Sequence, residues 1–155
     1  HNGEPVPAFD FVYGDAFNHY AVPFHLTTLE FNLKLRELMS PDGVYMMNIL
    51  DIYDTGKFLG AILNTFLKSF PHVYAFCTEN DGPAIGQNRR DTFVVVGTMK
   101  PLRGTALGPG VSGAALKWEH VEALRKRAGG IVLTDDYAPV DQLLEPVIRL
   151  ADKEG

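Results

Sequence analysis

One segment, residues 44–50, constrains the fold most, because it is almost continuously apolar. A strand exposed on one face alternates apolar and polar residues, whereas a strand covered by helices on both faces is apolar throughout. Apolar residues at helical spacing precede this segment at Leu29, Leu33 and Leu38, and a second helical series follows it through residues 58–70. This order predicts an α/β fold in which helices cover a mainly parallel sheet.

Turn and capping residues divide the rest of the chain. Thr27 and Glu30 stand three residues apart before the first apolar series, which predicts a capping box and a helix of about three turns. Residues 40–43, Ser-Pro-Asp-Gly, predict a tight turn. Asp54 or Thr55 is placed to cap the second helix. Further strands are predicted at 9–13, 73–77 and 92–98, and further helices at 114–127 and 140–151.

The length of 155 residues predicts one domain. Its sheet and helices occupy 9–98, a Gly/Pro-rich connector occupies 99–113, and C-terminal helices occupy 114–155. The chain opens without methionine on a proline-rich stub, and its predicted sheet is small for this fold class. We therefore expect residues 1–155 to be a single, incomplete domain cut from a longer polypeptide.

Charge and composition argue against several functions. The chain has 19 acidic and 14 basic residues, a net charge of −5, and its basic residues do not cluster, so we expect no nucleic-acid partner. No apolar run reaches the ~18 residues of a membrane span, and the N-terminus lacks the pattern of a secretory signal. The single cysteine, Cys77, cannot form an internal disulfide. We expect a cytoplasmic protein without membrane contact by this segment.

Acidic residues follow the first two predicted strands, at the edge where open α/β sheets bind ligands. Asp15 directly follows the first strand, and Asp51 and Asp54 follow the second. Such a rim suits an alkylammonium ligand, because carboxylates pair with its charge and aromatic rings contact its methylenes. Purely structural roles stay open: Asp15 has the position of a turn former, and Asp54 and Asp136 have positions typical of helix caps.

The loop after the first strand adds polar groups and flat rings to this rim through Asn18, His19, Tyr20 and His25. Its two histidines are six residues apart with no third histidine or cysteine at ligand spacing, so we predict no metal site. The sequence also lacks a Gly-x-Gly-x-x-Gly turn after a strand, a phosphate loop and a Gly-x-Ser-x-Gly elbow. The sequence therefore lacks the common motifs of nucleotide-binding proteins and of hydrolases.

Four motifs stand in a specific order. They read Phe-Asp-Phe-Val-Tyr-Gly-Asp-Ala-Phe at 9–17, Pro-x-His-Leu-Thr-Thr-x-Glu-Phe at 23–31, Ser-Pro-Asp-Gly-Val-Tyr-x-x-Asn at 40–48, and Leu-Thr-Asp-Asp-Tyr-Ala-Pro-Val at 133–140. In this order and spacing the motifs resemble the spermidine/spermine synthase family, and they look closest to its bacterial spermidine synthase-like branch. The similarity spans most of residues 9–140.

The resemblance implies a Rossmann-like, class I methyltransferase fold and a transferase of polyamine biosynthesis. Such enzymes move an aminopropyl group from decarboxylated S-adenosylmethionine to a diamine. It places Asp15 at the family's catalytic carboxylate, which helps deprotonate the attacking amine, and Asn18 where the family has a second, substrate-binding aspartate. Tyr20, Asp51 and Asp136 are further candidates for binding the polyamine-like substrate. Because Asn18 lacks a charge, a methyltransferase-like enzyme using S-adenosylmethionine itself and a non-catalytic interaction module on the same fold stay as alternatives.

The family's glycine-rich nucleotide loop and its ribose-binding acidic residue precede the part that matches position 9. We therefore expect the C-terminal half of the fold, inactive alone and binding no cofactor, with decarboxylated S-adenosylmethionine or S-adenosylmethionine as co-substrate of the parent protein. Some members of the branch carry a fused membrane domain, which could tether the parent. Strand 9–13 would have a bare edge, so we also expect a homo-oligomer formed through that exposed edge.

Overall fold

The computed structural model describes residues 8–15, 22–79, 81–103 and 113–154, with side chains as far as residue 151. Within these ranges the strands and α-helices follow in the order β1 (Phe9–Gly14), α1 (Leu29–Glu37), β2 (Met39–Ile52), α2 (Phe58–Ser69), β3 (His72–Cys77), β4 (Arg90–Thr98), β5 (Ala114–Ala115), α3 (Trp118–Arg127) and α4 (Val140–Glu154). The strands form one sheet in the order β1-β2-β4-β3-β5. The predicted α/β class is confirmed, and none of the described helices is both long and apolar enough to cross a bilayer.

Strand direction differs from the prediction at β4. In the described sheet β1 and β2 are parallel, whereas β4 is antiparallel to both β2 and β3, and β5 is antiparallel to β3. A helix connects β1 to β2 and β2 to β3, so these three strands point the same way. No helix lies in the described part of the connection from β3 to β4, which lets β4 fold back beside β3. The expectation of mainly parallel pairing is therefore wrong on the β4 side.

Helix α2 forms the centre of the core. It packs on one face of the sheet, where the ring of Tyr45 in β2 stacks on Phe66 with centroids 5.3 Å apart. The apolar positions predicted for this helix are all buried: Phe58, Leu59, Ile62, Leu63, Phe66 and Phe70.

The two faces of β2 are buried to different degrees. Tyr45, Met47 and Ile49 are buried on the face that α2 covers, whereas Val44 and Met46 on the opposite face are only partly buried. The apolar run predicted burial on both faces. Among the described residues the structure buries one face of this strand fully and the other in part.

Helix α1 begins one residue later than the predicted capping box. Thr28 is its N-cap, and the Thr28 hydroxyl accepts a hydrogen bond from the backbone N–H of Phe31 at 3.2 Å. Thr27 instead donates its hydroxyl to the carbonyl of Phe24. Glu30 accepts the backbone N–H of Asp135, so a tertiary contact replaces the reciprocal bond of a capping box.

The structure also corrects two other local predictions. Residues 40–43 form a bulge within β2, because Met39 pairs with Phe9 and Val44 already pairs with Phe11. Residues 114–115, predicted to open a helix, instead pair with β3 as the short strand β5, and α3 starts at Trp118. The last helix starts at Val140, as predicted.

The ring of Phe70 lies directly against Gly97 of β4, where a Cβ atom would sit between 2.5 and 2.9 Å from three ring carbons. We predict that Gly97→Ala lowers the free energy of unfolding by about 1–3 kcal/mol through overpacking, measured by urea denaturation. Phe70→Leu removes the obstructing ring, so the double variant should lose less stability than the sum of the two single losses. Strictly additive losses would contradict the steric cause.

Candidate active site

Asp15 lies at the carboxyl end of β1, where the sequence predicts a functional carboxylate. Asn48 of the neighbouring strand β2 donates its side-chain amide to Asp15 Oδ1 at 3.0 Å. Parallel register causes this contact: Gly14 is level with Met47, so the residue after each of them lies at the same height. The hydrogen bond orients the carboxylate and leaves its other oxygen, Oδ2, without a partner among the described residues.

A cavity of about 330 Å³ opens beside Asp15, between β1 and α1. Its walls are the side chains and backbone of Val12, Tyr13, Gly14, Asp15, Leu26, Phe31, Leu35 and Tyr45. Most of these groups are apolar, and Asp15 is the charged one among the described lining residues. Burial raises the pKa of the Tyr45 phenol, so this hydroxyl stays protonated and neutral. The cavity therefore offers one negative charge beside a mostly apolar wall.

Asp51, predicted to bind substrate, is instead 0% exposed. Its Oδ2 accepts the backbone N–H of Leu59 at 2.7 Å, and its Oδ1 accepts the N–H of Ile52 at 2.8 Å. Leu59 lies in the first turn of α2, so Asp51 caps this helix from the end of β2. A Cβ atom on Gly56 would lie 1.8 Å from Asp51 Oδ1, so this capping geometry requires glycine there. The structure thus corrects the substrate-binding prediction for Asp51 to a helix-capping role.

Burial raises the pKa of Asp51 from its ordinary 3.8 to about 6, although its backbone hydrogen bonds and the charge of Arg127 act in the opposite direction. The folded protein therefore holds this proton more tightly than the unfolded chain does. Stability contributed by this group is largest below about pH 4, falls as the pH rises to about 6, and is constant above that.

The sequence indicated that Asp54 could cap α2. In the structure Asp54 instead holds the loop that leads into β4. Its two carboxylate oxygens accept the backbone N–H groups of Gly86 and Asn88, each at 2.9 Å. Partial burial would raise the pKa of Asp54, but the two hydrogen bonds, the positive charge of Arg127 and the backbone N–H of Gln87 together outweigh it and lower that pKa. Asp51 at the end of β2 and Asp54 just after it are therefore both bound by backbone groups.

Asp136 lies exposed in the turn between Thr134 and Tyr137, which bond to each other through their backbones. It precedes the start of α4 by four positions, so it is not the N-cap that the sequence indicated. No described contact joins it to Asp15. Its neighbour Asp135 accepts the hydroxyl of Thr28 at 2.7 Å and so ties this turn to the start of α1.

The remaining candidates, Asn18 and Tyr20, lie outside the described residues together with His19. Their roles stay predictions. In the described ranges, no group of three or more His, Cys, Asp or Glu side chains could hold a metal ion. One residue that the sequence analysis did not single out is Asn48. The sequence could have drawn attention to Asn48, because it is the one amide side chain in the apolar run 44–50.

The raised pKa of Asp51 predicts how the free energy of unfolding changes with pH. Between about pH 4 and about pH 7, the free energy of unfolding of the wild-type protein should fall by about 2 kcal/mol relative to that of Asp51→Asn, which cannot ionise. Urea denaturation of both proteins across this range measures the difference. Asp42→Asn removes an exposed carboxylate of β2 and should follow the wild type. A pH-independent difference between wild type and Asp51→Asn would contradict the raised pKa.

Comparisons with known proteins show which fold this chain shares. No protein-family model matches the chain, and no curated protein matches it in sequence. The structure is similar to the crystal structure of a probable spermidine synthase from Corynebacterium glutamicum ATCC 13032, with a TM-score of 0.65 and 20% identity over 87% of this chain and 50% of that one. A weaker similarity, with a TM-score of 0.43 and 18% identity, covers 92% of this chain and 59% of human methyltransferase-like protein 13 in complex with SAH.

This chain spans about half the length of the probable spermidine synthase structure that it resembles. At this level of identity the similarity establishes the fold and not the reaction. The protein has an α/β, Rossmann-like fold, as predicted.

Proposed function

We propose that this chain is the amine-binding part of a spermidine synthase-like aminopropyltransferase in which Asp15 is the catalytic carboxylate. One observation carries the proposal: Asp15 stands at the carboxyl end of β1, held by Asn48 and facing a mostly apolar cavity. The fold shared with a probable spermidine synthase supports it, as does the motif around Asp15.

The chemistry of an attacking amine fits this arrangement. A free alkylamine has a pKa near ~10 and is protonated at neutral pH, so it must be held and then lose a proton before it can attack. Asn48 occupies Asp15 Oδ1, which leaves Oδ2 to accept a hydrogen bond from the ammonium group and then its proton. Apolar side chains such as Phe31 and Leu35 line the cavity and suit the methylenes of the amine, while Asp15 itself is exposed to solvent at its rim.

The described residues fit the nucleoside donor less well than they fit the amine. No strand of the described sheet is followed by a Gly-x-Gly turn that opens a helix, the arrangement that cradles such ligands. The acidic residue at the end of β2, Asp51, is buried and already bonded to backbone N–H groups. The proposal therefore assigns the amine to these residues and leaves the donor's binding groups unassigned.

Asp15→Asn tests the central carboxylate. Isothermal titration of this chain with 1,4-diaminobutane should show an affinity loss of about ten- to a hundredfold in the variant, because a charge-assisted hydrogen bond is lost. Asp42→Asn is the matched control, since Asp42 is an exposed carboxylate that pairs with Lys100 at 2.6 Å outside the cavity. Equal affinities in wild type and Asp15→Asn, or equal losses in both variants, would contradict the assignment.

Asn48 acts on the amine through Asp15 and is therefore a positioning residue. Asn48→Ala should weaken diamine binding by about two- to fivefold in the wild-type background, because the carboxylate loses its orientation. In the Asp15→Asn background the same substitution should have no further effect on affinity. A double-mutant cycle measures this coupling, and independent effects would show that Asn48 contributes only to folding.

Donor binding separates the alternative functions. We predict that calorimetry of this chain detects no micromolar binding of decarboxylated S-adenosylmethionine or of S-adenosylmethionine, because the described residues lack a nucleotide-binding turn. Micromolar binding of either donor would contradict this, and a preference for S-adenosylmethionine would favour a methyltransferase-like reaction. Absence of amine binding as well would favour a non-catalytic module.

A further inference from the structure

A buried tyrosine adds a second polar group to the cavity beside Asp15. Tyr45 is 1% exposed, yet it forms part of the cavity wall. No hydrogen bond within the described part of the chain uses the Tyr45 hydroxyl. Buried tyrosine hydroxyls normally have a hydrogen-bond partner, so a hydroxyl at a cavity wall without one marks a place where a ligand can bind.

Packing at both ends of the Tyr45 side chain holds this hydroxyl in place. Towards the core, the Tyr45 ring stacks on Phe66 and lies 6.1 Å from Phe70, measured between ring centroids. At its other end the hydroxyl lies beside Gly14, where a Cβ atom would be 2.9 Å from the hydroxyl oxygen. Because the packed ring has little room to move, the position of the hydroxyl requires glycine at residue 14.

The two polar groups of the cavity lie at different depths. Asp15 is exposed at the rim, whereas Tyr45 is buried. The apolar side chains of Leu26, Phe31 and Leu35 also belong to the wall. A ligand that uses both polar groups therefore needs an ammonium group at one end, a short apolar chain, and a second hydrogen-bonding group at the other end.

The cavity also determines the charge that suits the second group. Burial raises the pKa of the Tyr45 phenol, so its hydroxyl is uncharged at neutral pH and is no counter-charge for a cation. Asp15 is the one charged residue among the described lining residues, and residues 16–21, which follow it, contain no aspartate or glutamate. A second ammonium group would be buried without a carboxylate, which costs more free energy than burying a hydroxyl bonded to Tyr45.

We propose that Tyr45 is a specificity-determining residue, and that the cavity selects an alkylamine with an uncharged hydroxyl at its distal end over a diamine of the same length. The inference rests on the proposed function, because Asp15 has to hold the ammonium end. The Tyr45 phenol then forms a hydrogen bond with the hydroxyl of the ligand, since each of these groups can donate or accept.

Isothermal titration of this chain with three ligands of four carbons tests the selection: 4-amino-1-butanol, 1,4-diaminobutane and butylamine. We expect the amino alcohol to bind about three- to tenfold more tightly than the other two. Tyr45→Phe should remove this preference and leave the affinity for butylamine unchanged. Tyr53→Phe is the matched control, because it removes the hydroxyl of a tyrosine that packs against His120 outside the cavity. Tighter binding of the diamine, or equal losses for amino alcohol and butylamine in Tyr45→Phe, would overturn the proposal.

Gly14→Ala provides a second variant at the same contact. Its Cβ atom would displace the Tyr45 hydroxyl, so this variant should also lose the preference for the amino alcohol. Adding Gly14→Ala to Tyr45→Phe should cause little further change in that preference, because the nearest atom that remains is a ring carbon at 3.3 Å. A Gly14→Ala variant that keeps the wild-type preference would contradict the role of the hydroxyl.

A ligand without an ammonium group separates this inference from the proposed function. 1,4-Butanediol does not need Asp15, and its binding can be followed by the NMR signal of the Gly14 backbone amide. We expect binding that Tyr45→Phe weakens about threefold or more and that Asp15→Asn leaves unchanged. If Asp15→Asn also leaves the affinities for all three amines unchanged, the proposed function fails while the role of Tyr45 in the cavity stands. A Gly14 signal that shifts with none of the four ligands would overturn the proposal.

Discussion

The fold depends on a buried carboxylate that joins the end of β2 to the start of α2. Asp51 bonds the first turn of the helix and the adjacent backbone of its own strand, and it pays a desolvation penalty visible in its raised pKa. These bonds are favourable because helix N-termini carry unpaired N–H groups and a partial positive charge. They set where α2 begins. Since α2 carries the centre of the core, this one contact also sets how the helix lies on the sheet.

Three carboxylates lie at or just beyond the carboxyl ends of β1 and β2, and their hydrogen-bond partners distinguish them better than their positions in the chain. Asp51 caps α2, and Asp54 holds the loop before β4 through two backbone N–H groups. Asp15 accepts one side-chain amide and borders a cavity. Asp51 and Asp54, whose oxygens accept backbone N–H groups, serve the fold, whereas Asp15 Oδ2 has no partner among the described residues. This difference is the physical basis for proposing Asp15 as the functional group.

Much of the architecture was predictable from local sequence, because apolar periodicity is a local property. The helix at 58–69 and the strand ending near Leu50 are examples. Two of the failures involve partners distant in the chain. Glu30 binds Asp135 instead of closing a capping box, and Ala114 pairs with β3 instead of opening a helix. In the candidate site, Asp15 was predicted from its place after a strand, but the contact of Asn48 with it and the burial of Asp51 depend on register and packing, which no local pattern contains.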